Sequence, residues 1–202
     1  MGGSLLLDET TKSFEFKAVG LQAKKEADIE AKKKNLAMQS MNNLQHIVND
    51  ILDFSKIEAG KLDLEFDAVA LNAIVTKTVA LVQPHANKDR IIIRTSLSSA
   101  VPKVVADPRS IQQIMLNLIS NAIKYTESGG QVIVSTVYEE NGEVVVRVRD
   151  TGIGMSEGDI ATALKPFQQV NALTKAKGSG LGLPLTKAMV EANRAQFRIE
   201  SS

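Results

Sequence analysis

The segment DPRSIQQIMLNLISNAIKY, residues 107–125, decides how the rest of the chain folds. Asp107 followed by Pro108 is a good helix start, because the carboxylate can accept free backbone N–H groups and proline lacks a donor that the first turn does not need. Apolar residues fall on one broad side of this helix, and a narrow neighbouring stripe is polar: Gln113, Asn117, Asn121 and Lys124. The segment therefore predicts an amphipathic helix that packs a core with one face and presents two amides and a lysine beside it.

Two interpretations of the polar stripe are open. A solvated face is the ordinary one for an amphipathic helix. Asparagine, however, is a poor residue for a solvated helix interior, because its short amide competes for backbone hydrogen bonds. An amide oxygen suits Mg²⁺, and a lysine one turn further along can meet phosphate charge. The spacing of Asn117 and Asn121 alone does not decide between solvent and a ligand.

Composition bounds the class of protein. The 202 residues, 44% hydrophobic and 23% charged, are enough for one good core plus an appendage. A net charge of +1, few aromatic residues and no tryptophan argue against nucleic-acid binding. The lack of cysteine excludes disulfides and thiolate chemistry, and no apolar run is long enough to cross a membrane. We expect a cytoplasmic chain without a membrane segment. This expectation is compatible with a longer parent protein that is attached to a membrane.

The N-terminal third of the sequence, residues 1–60, predicts a helix whose first part has too few large apolar residues to form a core. Met1–Ser4 resembles an engineered scar, and residues 1–35 are interpreted first as an engineered lead-in or helical connector. A solvated helix and a coiled-coil extension with a weak seam are the alternatives for the charged part of this segment. Apolar residues at helical spacing then rise through residues 36–60, and Ala59-Gly60 ends that helix.

The remaining segments, residues 61–202, predict an α+β domain. Helices and strands alternate without regular βαβ spacing, so helices on one face of a mixed, mostly antiparallel sheet fit better than a doubly wound fold. Asn141-Gly142 predicts a hairpin turn between two strands. The predicted strands are 62–66, 91–97, 132–138, 144–148 and 196–200, and the predicted helices besides the first are 69–83, ending before Pro84, and 183–193.

Two glycine-rich segments carry the candidate chemistry. One, Asp150 to Met155, follows a strand, and the other, Gly178 to Leu183, precedes a helix. Glycines allow the backbone to approach phosphates, and the helix start presents free N–H groups. The second segment is not a Walker loop, since no Lys-Ser/Thr follows its last glycine. Asp150, at a strand end, could accept a hydrogen bond from the exocyclic amine of adenine.

Four motifs in order produce a specific resemblance. NLISNAIKY (117–125), DTGIGM (150–155), KPFQQV (165–170) and GSGLGL (178–183) resemble the N, G1, F and G2 boxes of the sensor histidine kinase ATP-binding domain, of the GHKL or Bergerat ATPase superfamily. The similarity covers roughly residues 61–200. It implies a two-layer α/β sandwich, the Bergerat fold, here preceded by a long N-terminal helix, with ATP and Mg²⁺ as cofactors.

The same resemblance implies roles for single residues. Asn121 matches the magnesium-binding asparagine, with Asn117 as its companion, and Asp150 matches the adenine-reading aspartate. A mobile lid would span about residues 156–177. The other implied nucleotide-binding residues are Lys124 and Tyr125 on the phosphate and nucleotide sides, Gly152 and Gly154 at the adenine pocket, Phe167, Lys175 and Lys177 in the lid, and Gly178, Gly180, Leu181 and Gly182 at the triphosphate.

Two further segments extend the resemblance. NDILDFSKIEAGKLDLEF (49–66) is similar to the second helix of the family's dimerisation and phosphotransfer hairpin, and GLPLTKAMVEANRAQF (182–197) resembles alphaproteobacterial cell-cycle kinases of the PleC, DivJ and DivL type. They imply a homodimer through the N-terminal helical region. The implied partner is a response regulator or a histidine phosphotransfer domain.

Departures from the family limit the expected activity. The acceptor-histidine motif of the first hairpin helix is missing, while His46 reads as structural and His85 as solvated. Related topoisomerase and MutL ATPases carry a water-activating glutamate where this chain has Asn117, and an amide cannot take a proton. We therefore expect a module that presents Mg-ATP to a histidine outside this chain, truncated or grafted at its N-terminal side. A non-catalytic signalling module that binds nucleotide or a response regulator is the alternative, and a stand-alone ATPase ranks third.

Overall fold

A computed structural model of the chain describes residues 4–170 and 179–201. Within the first helix, the side chains of residues 4–23 and of positions 35, 39, 42, 43, 46 and 58 lie outside the description. The chain divides into two compact units, Met1–Asn49 and Asp50–Ser202. The three-part division predicted from the sequence, 1–35, 36–60 and 61–202, stays a prediction.

The described residues form five α-helices and five β-strands. The helices are α1 (Ser4–Glu58), α2 (Leu71–Lys88), α3 (Pro108–Tyr125), α4 (Glu157–Ala163) and α5 (Gly182–Ala192). The strands are β1 (Asp67–Val69), β2 (Ile92–Leu97), β3 (Val104–Ala106), β4 (Gln131–Tyr138) and β5 (Val144–Asp150). The predicted long N-terminal helix and the α+β class are confirmed.

Helix α1 stops where the sequence indicates. Gly60 takes φ +64°, the left-handed conformation that glycine adopts at little cost. The Lys61 N–H donates to the Lys56 carbonyl at 2.8 Å, and the Gly60 N–H donates to the Ile57 carbonyl at 2.9 Å. These bonds satisfy carbonyls that a helix end leaves free, so the predicted end at Ala59-Gly60 is confirmed.

A three-stranded mixed sheet supports the second unit. Its order is β2-β4-β5, with β2 parallel and β5 antiparallel to β4. Val132 and Val134 on β4 are fully buried and join one core cluster with residues of α2 and α3, among them Val75 and Ile119. A separate pair, β1 and β3, is antiparallel. Helices thus bury one face of the sheet, as predicted.

The Asn-Gly turn between β4 and β5 is also confirmed. Gly142 has φ +87°, which the turn requires, and the Glu139 N–H donates to the Glu143 carbonyl at 2.8 Å. The Asn141 side chain accepts from the Glu143 N–H and donates to its carboxylate, both at 3.0 Å. Local turn chemistry therefore fixes the register of the hairpin.

Two predicted strands are wrong. Leu62 and Leu64 are half-buried and alternate with exposed neighbours, yet this segment pairs with no strand in the described chain, and pairing begins only at Asp67. Phe197 and Ile199 show the same alternation without a ladder. Alternation reports which side faces the core, whereas a strand also needs a hydrogen-bonding neighbour. Strands β1 and β3 and helix α4 were not predicted, since all three are short.

The predicted end of α2 before Pro84 is also wrong, because the helix continues to Lys88. Pro84 is exposed and lies in the last turns, where the carbonyl that loses its donor belongs to exposed Ala80 and can be hydrated. Val82 and Ala86 flank the proline and are buried in the core. Burial of these two side chains holds the last turns helical despite the proline.

Candidate functional site

A buried polar network fixes the start of α3. Asp107, 3% exposed, accepts the Ser110 N–H on Oδ1 at 2.6 Å and the Glu65 N–H on Oδ2 at 2.8 Å. Its own N–H donates to Asn193 Oδ1 at 2.8 Å, and Asn193 Nδ2 donates to Ser110 Oγ at 2.5 Å. Asp107 is therefore the helix cap that the sequence predicts. It also connects the start of α3 with the segment at Glu65 and with Asn193 at the end of α5.

The polar stripe of α3 is half-buried rather than fully solvated. Asn117, Asn121 and Lys124 all have intermediate exposure. Gln113 Nε2 reaches Asn117 Oδ1 at 3.5 Å, the long limit of a hydrogen bond. Lys124 Nζ lies 4.9 Å from the centre of the Tyr125 ring, a cation–π distance. A purely solvated face does not describe this stripe.

The first glycine segment closes onto the end of α3. The Gly152 N–H donates to Asp150 Oδ1 at 2.8 Å, and the Ile153 N–H donates to the Tyr125 carbonyl at 3.3 Å. A Cβ on Gly152 would lie 2.5 Å from the Tyr125 carbonyl oxygen, so only glycine fits this approach. Gly154 has φ +67° and needs glycine for its backbone conformation. The exposed Asp150 carboxylate is thereby held in a fixed orientation.

The second glycine segment meets the same helix one turn earlier. A Cβ on Gly182 would have Asn121 Nδ2 as its neighbour at 3.5 Å. Gly180 has φ +71°, and a Cβ there would lie 2.8 Å from the Phe167 carbonyl carbon. Leu181 between them is fully buried and anchors the segment in the core. Both glycine segments thus converge on the C-terminal half of α3.

Phe167 links the segment after α4 to the second glycine segment. Its N–H donates to the Gly180 carbonyl at 3.1 Å, and its backbone is left-handed at φ +63°. The exposed ring makes an edge contact with the ring of Phe54 near the end of α1, with centroids 6.4 Å apart. Ser179 Oγ lies 3.4 Å from Asp50 Oδ2, one turn earlier on α1. Phe167 therefore lies between the glycine segment and α1.

Several predicted residues do not enter this geometry. Lys175, Lys177 and Gly178 lie outside the described residues, as does the side chain of His46. His85 is solvated as predicted: its side chain is 63% exposed and its Nε2 lies 3.2 Å from Asp89 Oδ2.

Two features are absent from the described part of the chain. Residues 4–170 and 179–201 contain no cluster of three or more histidine, cysteine, aspartate or glutamate side chains that could hold a metal. No helix in the same ranges is long and apolar enough to cross a membrane. Cytoplasmic location stays a prediction.

Sequence reasoning missed two contributors to the site. Asn193 binds Asp107 and Ser110 from more than 80 residues away, and nothing in its local sequence signals that role. Phe54 stood within a predicted helix, but its contact with Phe167 depends on tertiary packing. Both are recognisable only once the elements are assembled.

Residues 106–202 belong to the family of histidine kinase-, DNA gyrase B- and HSP90-like ATPases. Within this family the chain is of the histidine kinase type. It is 59% identical over 174 residues, 81% of its length, to the cell-division control histidine kinase PdhS of Brucella anthropi. The chain spans only about one sixth of that relative, 16% of its length.

Solved structures agree with this assignment. Full-length ShkA in complex with AMPPNP is 30% identical, with a TM-score of 0.67, and the match covers 76% of this chain and 32% of ShkA. The histidine kinase ThkA in complex with the response regulator protein TrrA shares the fold at 22% identity and a TM-score of 0.60, over 83% of this chain and 47% of that one. The predicted two-layer fold and the histidine kinase resemblance are therefore confirmed.

Proposed function

We propose that the chain binds Mg-ATP between its two glycine segments and presents the γ-phosphate for transfer to a histidine outside the chain. One observation carries the proposal: Gly152 and Gly182 both close onto α3, at Tyr125 and Asn121. These approaches support a site in which the Asp150 carboxylate selects adenine and the start of α5 meets the phosphates. The nucleotide AMPPNP in the ShkA complex supports nucleotide as the ligand.

Asp150 is the residue that selects adenine. Its Oδ1 is oriented by the Gly152 N–H at 2.8 Å, and an ionised carboxylate has further lone pairs to accept an exocyclic amine. A base with a carbonyl at that position would face the carboxylate with a second acceptor. The phosphate end of the proposed site consists of Lys124, Gly178, Gly180 and Gly182, joined by Lys175 and Lys177 of the lid.

The described residues fit a magnesium ion bound with the nucleotide. Asn121 and Asn117 offer neutral amide oxygens, and the described part of the chain has no acidic cluster to compete for the ion. Mg²⁺ commonly keeps several waters and few protein ligands while it binds substrate phosphates. It supplies charge neutralisation for the phosphates, and Asn121 with Asn117 would hold it. The protein's part in phosphoryl transfer is then mostly positioning.

Asn117 directs the reaction away from hydrolysis. Its amide occupies the place at which a glutamate would activate water, and an amide cannot act as a base at neutral pH. In the described part of the chain, the histidine side chain is that of His85, a surface residue paired with Asp89, and the sequence around His46 lacks the acceptor motif. The acceptor is therefore proposed to lie on another polypeptide segment, and the protein served is a response regulator or a histidine phosphotransfer domain, as ThkA with TrrA illustrates.

Helix α1 is proposed to form the homodimer. Met41, Leu44, Val48 and Ile51 repeat at spacings of three and four, and all are exposed. A helix with an exposed apolar seam of this period is stabilised by a second copy packed along it. The occupant we propose is the α1 helix of another chain.

Nucleotide titration tests the proposal. Calorimetry with ADP and with a non-hydrolysable ATP analogue, each with Mg²⁺, should show binding that Asp150→Asn and Asn121→Ala weaken at least about tenfold, since each removes a charged or metal-linked interaction. Asp89→Asn and Asn87→Ala are matched controls on the surface of the same unit, and their affinity should stay within about twofold of the wild type.

The second arm offers a separate helical hairpin that bears an acceptor histidine, together with radiolabelled ATP. Transfer of label to that histidine supports the kinase assignment. Binding without transfer favours the alternative, a signalling module that works through nucleotide-dependent conformation. Steady phosphate release would point to a stand-alone ATPase. A wild-type chain that binds no nucleotide at millimolar concentration refutes the proposal.

A further inference from the structure

Helices α3 and α5 pack antiparallel in one continuous register. At one end Gly182 lies against Asn121, and at the other Asn193 donates to Ser110. Eleven residues separate the two contact points on each helix. Between them, Leu185 and Met189 pack with Ile114 and Leu118 in one apolar cluster. The two end contacts and this cluster define how the two helices are aligned.

This register places Thr186 opposite Asn117. Thr186 is four residues beyond Gly182, and Asn117 is four residues before Asn121, so both lie one turn inside the glycine contact. Both are on the packed faces of their helices. The pair thus lies one helical turn from Asn121, the other residue proposed to hold the metal.

Each member of this pair carries a buried polar atom without a partner. In the ranges 4–170 and 179–201, Asn117 Nδ2 and Thr186 Oγ1 are the buried side-chain atoms that make no hydrogen bond. A buried donor or acceptor left unpaired costs about 1–3 kcal/mol. Two such atoms on facing positions of one interface indicate an interaction that a ligand-bound state completes.

Thr186 differs from the other threonines whose side chains are described on a helix or at a helix end in where its hydroxyl goes. Thr76, Thr78, Thr126 and Thr162 each donate to the carbonyl four residues earlier, at 2.7–2.9 Å. That local bond is the usual way for a helix to satisfy a threonine. Thr186 makes no such bond although its side chain is fully buried. Its hydroxyl is therefore left for the α3 side of the interface.

We propose that Thr186 is a positioning residue for Asn117, an inference that rests on the proposed Mg-nucleotide site. When Mg-nucleotide is bound, the Thr186 hydroxyl accepts a hydrogen bond from Asn117 Nδ2, directly or through one buried water. The amide oxygen and nitrogen have nearly the same shape, but only the oxygen suits Mg²⁺. Holding the nitrogen turns the oxygen toward the metal side of the stripe.

The present contacts of Asn117 do not fix this orientation. Gln113 Nε2 approaches Oδ1 only at 3.5 Å, from the turn before it. Without a partner for Nδ2, a rotation of the amide by half a turn would present nitrogen to the metal. A hydroxyl on α5 therefore decides whether Asn117 works as a metal ligand.

Substitution of Thr186 tests this role. Thr186→Val keeps the branched shape and removes the hydroxyl, whereas Thr186→Ser keeps the hydroxyl. We measure ADP affinity with Mg²⁺ and with EDTA, and the melting temperature without ligand. Thr186→Val should lower Mg-ADP affinity about tenfold, the low end for residues that orient a metal ligand. ADP affinity in EDTA should stay within about twofold, and the melting temperature should be unchanged or higher because one unpaired buried group is gone.

Each outcome of these measurements either supports or overturns the proposed role of Thr186. Thr186→Ser should restore Mg-ADP affinity to within about threefold of the wild type. Unchanged Mg²⁺ dependence in Thr186→Val overturns the inference. So does an equal loss with and without Mg²⁺ accompanied by a lower melting temperature, which marks a purely structural role. If valine prevents folding, Thr186→Ala gives the same loss of hydroxyl. Failure of the wild type to bind ADP at all instead refutes the proposed site, and this inference falls with it.

Discussion

Replacing Gly152 by alanine should weaken adenine-nucleotide binding, because the new methyl group has no room. A Cβ there would lie 2.5 Å from the Tyr125 carbonyl oxygen and 2.7 Å from Asp150 Oδ1, whereas ordinary contacts begin at 3.4 Å. Either the α3 terminus or the carboxylate must shift by most of an ångström. Overpacking of this kind costs about 1–3 kcal/mol, and a hydrogen bond to a charged group contributes about 1.5–3 kcal/mol.

The expected loss of ADP affinity is therefore about 10- to 100-fold, since each 1.4 kcal/mol is tenfold. Isothermal titration calorimetry measures the loss, and a thermal melt reports the cost to the fold. Gly158→Ala is the matched control: it lies in α4, and its nearest neighbour would be Ser156 Oγ at 3.9 Å. Alanine in a helix is better than glycine by about 0.5–1 kcal/mol, so this control should bind ADP normally and melt no lower. Equal affinities for Gly152→Ala and the wild type would refute the reasoning.

Three other perturbations test the capping network at Asp107, the packing of Phe54 and the proposed dimer. Asp107→Ala should lower the free energy of unfolding in urea by about 2–3 kcal/mol, because it removes a helix cap and leaves buried N–H groups unpaired. Phe54→Ala should cost about 1–3 kcal/mol in the same measurement, through lost contact with Phe167 and the apolar cluster beside α5. The double variant Met41→Lys with Leu44→Lys should sediment as a monomer where the wild type sediments as a dimer, because charge in an apolar seam opposes pairing.

Exposed residues supply the controls for the first two variants. Asp63→Ala changes an exposed side chain two residues before Glu65, whose N–H donates to Asp107, and Leu52→Ala changes one two residues before Phe54. Each should alter the free energy of unfolding by less than about 0.5 kcal/mol. If Asp107→Ala behaves like Asp63→Ala, the buried network does not hold α3. If the lysine variant keeps the sedimentation coefficient of the wild type, α1 is not the dimer interface.

Sequence reasoning succeeded where local chemistry decides the structure. Asp107-Pro108 marked the start of α3, and Asn141-Gly142 marked the hairpin, since capping and turn formation depend on neighbouring residues alone. The glycine motifs likewise named the segments that close onto α3. The ligand set itself, from Asn121 to the lid lysines, stays a prediction.

The errors share a different origin. Residues 62–66 alternate like a strand but lack a hydrogen-bonding neighbour, and Pro84 should end a helix but lies beside two buried residues that keep it helical. Whether residues 62–66 form a strand and whether α2 continues past Pro84 both depend on which residues the fold places next to them. The proposed pairing of Thr186 with Asn117 is of the same kind, because it is inferred from the register of α3 against α5.

The hydrogen bonds of Asn193 hold the C-terminal end of α5 against the start of α3. Asn193 accepts the Asp107 N–H and donates to the Ser110 hydroxyl, which ties the C-terminal end of α5 to the start of α3, whereas Gly182 at the other end lies beside Asn121. At 1.5 Å per residue, the distance along α5 from Asn193 to Gly182 is about 16 Å, so a tilt of α5 by about 5° about its Asn193 end would move Gly182 by roughly 1.4 Å. A tilt of α5 would therefore displace most the end at which phosphate is proposed to bind.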